Sequence, residues 1–292
     1  MGARTLAGLV LTAATVAACG SSVAAPPSGP RAAIVTITRG FGQRTLSAAR
    51  AAPGQSALMA LRRAARISTM YGGRFVQAID GLEGDQSHGM AWLYFVNGIQ
   101  AGVGAADYTL HPGDTEWWDY RYWNDLIQVP VAIGAWPDPF VHGYSGKRPA
   151  VSVTGPACAQ KLASALRAAG AHVVRRSSPF SVRVETFARA AAALGASAWR
   201  GRGLTVSLSH GHVIVYRGRA GQRPDPAAHA VIVAYQPGPA TGTSAALIVA
   251  GDTTAAACAA AGTLAGRPAG VRDAYAVALD GSGHVIAYGG RP

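Results

Sequence analysis

The spacing of apolar positions changes character several times along the chain. Ala33-Ile34-Val35-Thr36-Ile37-Thr38 alternates and is β-branched, which predicts a strand. Pro53-Gly54-Gln55-Ser56 forms a turn ending in an N-cap residue, and from Ala57 to Ala65 the residues Leu58, Leu61 and Ala65 share one helical face. Phe75–Ile79 and Trp92–Val96 predict two further strands. The second runs into Asn97-Gly98, a hairpin signal because both central positions of a type I′ turn need positive φ. His111-Pro112-Gly113-Asp114 is another turn, followed by an aromatic strand from Thr115 to Trp123.

Beyond about residue 148 the pattern becomes Ala-rich and poor in aromatics. Val151–Thr154 leads through Gly155-Pro156 into a helix over about 157–169, and Leu247–Ala250 leads into another over about 253–264. Between them, 204–208 and 213–216 form a hairpin through His210-Gly211-His212, and 231–235 and 284–288 are strands. The fold class expected is α+β: a first domain of strands and one helix, then a second α/β domain with a mixed sheet.

Charge separates the same two parts. The chain carries 26 Lys and Arg against 14 Asp and Glu, a net +12. Residues 31–148 hold 11 basic and 9 acidic side chains, residues 149–292 hold 14 and 5. A basic second half invites acidic envelope surfaces. Its arginines are scattered rather than interleaved with aromatics, which argues against nucleic acid as a partner.

Arg4 is the only charged side chain among the first 30 residues, and Leu6–Val16 is an apolar run of export-signal length, too short to span a bilayer. Val16-Ala17-Ala18-Cys19 has the small residues and cysteine of a bacterial lipobox. We therefore expect a signal peptide over 1–18, lipidation of Cys19 and a flexible tether over 19–31 rich in Gly, Ser and Pro. The competing expectation is ordinary cleavage near Val23-Ala24-Ala25. Lipidation would place the protein on the extracellular face of the cytoplasmic membrane, where Cys158 and Cys258 become the candidate disulfide pair.

Candidate chemistry is concentrated in the aromatic strand. Trp118, Tyr120 and Tyr122 share one face by alternation, and Trp117, Asp119, Arg121 and Trp123 the other. Either both faces pack, one under the helix and one under the Trp136–Tyr144 segment, or one is a platform for a flat ligand. Tyr94, Asn97 and Gly98 on the neighbouring hairpin complete the ligand-binding candidates. Asp80, Asp107, Asp114 and Glu116 sit at turn signals, where such side chains cap backbone, and none is assigned as catalytic. His210 and His212 read as a hairpin tip rather than a metal pair, and His142 lacks an evident partner. We expect no catalytic residue, no metal site and no cofactor.

One combination goes further. Ser56–Leu61, Ile79-Asp80-Gly81, Trp92–Gly98, Gly104–Tyr108 and Pro112-Gly113-Asp114 with Trp117 together resemble the transcobalamin-like C-terminal domain family, over about residues 32–125. The resemblance implies a β-grasp-like domain there, with 126–148 as an ordered connecting segment and 149–292 as a basic domain of unknown function. It also implies binding, with a corrinoid as candidate ligand, and presentation to an uptake system or transporter. The helical barrel that holds most of the corrinoid in transcobalamin has no counterpart in the sequence. The alternative expectation is a non-catalytic envelope module that binds cell-wall polymer or another surface protein.

Overall fold

The computed structural model describes residues 1–2, 31–195, 197, 199–266 and 268–292. Residues 3–30, on which the expected leader, Cys19 and most of the expected tether fall, lie outside the described residues. Among the described residues no helix is long and apolar enough to cross a membrane.

The first half builds two small sheets around one helix. Strands β1 (Ala33–Arg39) and β2 (Arg44–Ala51) form a hairpin, followed by α1 (Ala57–Ala64). Ser56 caps α1 as its composition predicts, its hydroxyl accepting from the Met59 N–H at 3.2 Å. Strands β3 (Ile67–Met70), β4 (Phe75–Ile79) and β5 (Leu82–Glu83) make a three-stranded sheet. Strands β6 (Met90–Val96), β7 (Ile99–Gln100) and β8 (Thr115–Tyr122) join the first hairpin in the order β2-β1-β8-β6-β7, with β1 and β8 parallel at the centre. Asn97 and Gly98 turn β6 into β7 at φ 53 and 77.

The second half is a seven-stranded mixed sheet between two layers. Its elements are β9 (Ala150–Thr154), α2 (Ala159–Ala168), β10 (His172–Val174), β11 (Phe180–Thr186) and α3 (Phe187–Leu194). A short α4 (Trp199–Arg202) precedes a separate sheet of β12 (Val206–Ser209), β13 (His212–Tyr216) and β14 (Gln222–Pro224). Then come β15 (Ala230–Tyr235), β16 (Ala245–Gly251), α5 (Thr254–Gly266), β17 (Ala276–Leu279) and β18 (Val285–Tyr288). The order is β10-β9-β11-β16-β15-β17-β18, parallel from β10 to β16 and antiparallel thereafter. The chain is thus mixed α+β and rich in sheet.

Alternation along these strands feeds both layers. Val182, Val184, Leu247 and Val249 pack with α2 and α5. Val231, Val233, Ile248 and Ala250 pack with α3 and the β12–β13 hairpin. A disulfide between Cys158 and Cys258 ties α2 to α5, with Cα atoms 5.6 Å apart at a sequence separation of 100.

Much of the segment 126–148 packs into the core, while residues 127, 128 and 145–148 are exposed. Val131, Ile133, Phe140, Val141 and Tyr144 belong to a core cluster that contains residues of both halves. This alters one expectation for β8. The face holding Trp117, Asp119 and Arg121 does not lie under the Trp136–Tyr144 segment. It packs against Tyr275 and Tyr216 of the second half, with Trp117 and Tyr275 ring centroids 5.0 Å apart. The polar groups on that face need partners of matching chemistry, and the Tyr275 hydroxyl supplies one to both Asp119 and Arg121.

Candidate functional site

A ladder of aromatic side chains crosses from β6 to β8. Antiparallel pairing sets Tyr94 opposite Trp118 and Trp92 opposite Tyr120. Direct cross-strand neighbours lie close enough for their rings to touch. The Tyr94 and Trp118 rings stack with centroids 4.7 Å apart, and Trp92 meets Tyr120 at 5.2 Å. The Trp92 indole N–H donates to the Leu82 carbonyl at 2.9 Å, and the Tyr120 hydroxyl donates to the Glu83 carbonyl at 2.8 Å. Both bonds fasten the small β3–β4–β5 sheet across the ladder.

This arrangement leaves a cleft of about 310 Å³, floored by Trp92, Tyr94 and Trp118 and walled by Arg74, Phe75 and the 101–105 loop. The loop is held from two sides: the Tyr94 hydroxyl donates to the Val103 carbonyl, and the Gly102 N–H donates to the Tyr144 hydroxyl at 3.3 Å. A second, apolar groove of about 200 Å³ shares Phe75, Trp92 and Leu93 with it and extends to Met90, Trp123 and Ile127. Phe75, Val103 and Ile127 are exposed at the rims. The two adjoining clefts, rich in aromatic side chains and with one cation, Arg74, are suited to a flat apolar molecule carrying polar edges.

Beneath the ladder lies a buried acid. The Trp118 indole N–H donates to Glu116 Oε1 at 2.6 Å, while Glu116 Oε2 has no hydrogen-bond partner among the described residues. Burial pushes the Glu116 carboxyl up to about 8, against the smaller opposing effect of the Trp118 hydrogen bond. Glu116 therefore sits inside a strand, not at a turn end as its neighbour Asp114 suggests, and stays largely protonated at neutral pH.

The remaining candidate residues do not converge on the cleft. Tyr122 lies under the Arg219 guanidinium at 5.3 Å, at the edge of the interface with the second half. Asn97 is fully buried: its amide donates to Asp114 at 2.8 Å and to the Gly143 carbonyl at 2.9 Å, and its oxygen accepts from Thr115 N–H at 2.8 Å. Gly98 is also buried, and a Cβ there would stand 2.7 Å from the Ala132 carbonyl oxygen. Asn97 and Gly98 thus shape a turn covered by the connecting segment and present nothing to a ligand. His142, which has no partner evident in the sequence, is held by Asp138, with Nδ1 3.0 Å from Oδ2. His210 occupies the hairpin turn itself, at φ 50, so it does not share a strand face with His212. Asp80 accepts from the Arg66 N–H at 2.9 Å, a turn-capping role. Among the described residues no three His, Cys, Asp or Glu side chains gather as a metal site would require.

Sequence reasoning missed Trp92, Phe75 and Trp123 as cleft residues. The signal for Trp92 was available, since it lies two positions before Tyr94 and must share its face. Phe75 and Trp123 reach the groove through the packing of separate strands, which no local pattern encodes.

Residues 54–121 match a family model described as a domain of unknown function (DUF4430), a span well under half the chain. No curated protein matches the chain. Among solved structures, one described as a candidate metal binding protein from Ruminococcus gnavus is 17% identical, with a TM-score of 0.27, covering 32% of this chain and 97% of that one. Haptocorrin in complex with Cbi is 12% identical, with a TM-score of 0.27, covering 32% of this chain and 25% of that one.

Proposed function

We propose that this chain is a lipid-anchored cell-surface binding protein that captures a small ligand in the Trp92–Tyr94–Trp118 cleft and presents it to an uptake system. The observation that carries the reading is the cleft itself: two adjoining cavities of about 310 and 200 Å³, the first floored by the stacked Tyr94 and Trp118 rings. Small-molecule sites are typically concave, mostly apolar and roughly 300–1,000 Å³ in volume. The strand order β2-β1-β8-β6-β7 with its parallel central pair supports a β-grasp-like first domain, as the family resemblance implies. That resemblance makes a corrinoid the first candidate, lying across the cleft with one edge inserted. The reading is of a binding protein and not an enzyme: the carboxylate beneath the stacked rings, Glu116, is buried and held by the Trp118 indole N–H.

The test is a titration of the purified protein with cobinamide and cobalamin, read by tryptophan fluorescence and calorimetry. Micromolar binding that Trp92→Ala weakens at least about ten-fold, a loss of about 1.4 kcal/mol, supports the reading. No heat and no fluorescence change from either ligand, with the protein shown folded, removes the corrinoid. Binding unaffected by Trp92→Ala removes the cleft.

A further inference from the structure

A second cleft, of about 480 Å³, lies where the connecting segment enters the seven-stranded sheet. Lys147, Arg148 and Arg176 line it, and Pro149, Pro179 and Phe180 give it an apolar floor. All three cations are exposed. Among the described residues no carboxylate lies within 4.0 Å of any of them, and four of the five acids of the second half are engaged elsewhere: Glu185 with Arg183, Asp225 with Arg217, Asp252 with His229 and Asp280 with His284. Arg175 adds a fourth exposed cation beside Arg176. Three cations without a carboxylate partner line one concavity, and guanidinium and ammonium groups recognise phosphate oxygens directly.

The position of this cleft points to the source of the phosphate. The first residue of the folded body, Arg31, accepts from the Gly113 N–H at 3.0 Å, and its side chain lies with that of His142 against Gly113. The next residue, Gly143, packs directly on the Lys147 carbonyl and on Pro149. The chain therefore leaves toward Cys19 from the same corner that carries the basic cleft. Twelve residues from Cys19 to Pro30 span at most about 40 Å even when fully extended.

We propose that the Lys147–Arg148–Arg176 cleft binds the phosphate of anionic lipid headgroups, docking the protein on the membrane in a fixed orientation. The choice of lipid over free phosphate rests on the lipid-anchored reading, which sets the side of the molecule that meets the bilayer. An anchored protein docked by this corner holds its basic second half against the membrane.

Every described strand and helix lies within residues 31–292, so the unacylated chain from Gly20 keeps all of them. Its co-sedimentation is measured with vesicles of phosphatidylglycerol in phosphatidylcholine and with pure phosphatidylcholine, at physiological ionic strength. Each cation at an anionic surface raises partition about five-fold, so Lys147→Gln/Arg148→Gln/Arg176→Gln should lower it on the order of 100-fold. The matched triple Arg62→Gln/Arg63→Gln/Arg66→Gln, on and just after α1, removes the same charge and should change it by less than about five-fold. Inorganic phosphate should release the protein more effectively than chloride at equal ionic strength. Equal losses from the two triples, no partition onto phosphatidylglycerol, or release by phosphate no better than by chloride would each overturn the proposal. So would binding to soluble polyphosphate without binding to vesicles, which assigns the cleft to wall polymer. The anchor is read separately, by the mass of the protein extracted from cells. A Cys19 without diacylglycerol sinks the anchor reading while the vesicle result stands.

Discussion

The Tyr275 hydroxyl donates to Asp119 Oδ2 at 3.0 Å, joining the two halves of the chain across 156 residues. The Tyr275 hydroxyl oxygen in turn accepts from Arg121 Nε at 3.2 Å. Asp119 Oδ1 accepts from Thr38 at 2.7 Å and from the Gly42 N–H at 3.1 Å. Arg121 spends its other N–H groups on the carbonyls of Tyr122, Leu126 and Ile127. A buried acid and a buried base are thus joined through one phenol, and each is satisfied by further bonds, as a buried ionic network must be.

Tyr275→Phe keeps the ring packing and removes only this bridge. It should lower unfolding stability by about 1–3 kcal/mol, because the Asp119 and Arg121 groups stay buried with one partner fewer. Chemical denaturation at neutral pH measures it. A change near zero would mean the network does not hold the halves together.

Glu116 should make stability depend on pH. Its folded-state pKa of about 8 lies above the ordinary value of 4.5, so the native state holds the proton more tightly than the unfolded state does. The stabilisation is fully present below about 4.5 and is lost as pH rises toward 8, by up to about 1.4 kcal/mol per pH unit. Glu116→Gln should be close to wild type at pH 4 and more stable by a few kcal/mol at pH 9. Parallel pH profiles for the two proteins would refute the assignment of this slope to Glu116.

The Cys158–Cys258 disulfide closes a loop across 100 residues. Constraining an unfolded chain over that length contributes roughly 4–5 kcal/mol on loop-entropy grounds. Cys158→Ser/Cys258→Ser should lose a large part of it, and reductant should destabilise the wild type but not the double variant. Unfolding curves with and without reductant decide this.

Asn97→Ala leaves the Asp114 carboxylate and the Thr115 N–H without their partner and puts a residue ill suited to positive φ at the turn. We expect a loss of about 2–4 kcal/mol, with ligand affinity unchanged in molecules that remain folded. Intact stability combined with lost binding would instead make Asn97 a ligand contact.

How far the sequence speaks depends on the range of the interaction. The Ala33–Thr38 alternation, the Ser56 cap and the Asn97-Gly98 turn are local and readable, and each lands where its pattern predicts. Strand β2, Arg44–Ala51, sits at a sheet edge and is mostly exposed, so it has no apolar alternation to read. Strand β11 does alternate, with Phe180, Val182 and Val184 buried, but Ser181, Arg183 and Glu185 between them give it the polarity of a loop. The outward face of β8 was the least legible. Whether Trp117, Asp119 and Arg121 face a ligand or a partner depends on Tyr275, and nothing near them in the chain names it.

The entry of the chain at Arg31 has a mechanical consequence. Residue 31 leads directly into β1, which is paired with β2 on one side and β8 on the other. A pull transmitted through the tether therefore runs along the strand and loads all its ladder bonds in shear at once, instead of peeling them from one end. On the lipid-anchored reading proposed above, drag on the molecule would be borne by the β1 ladder to β2 and β8.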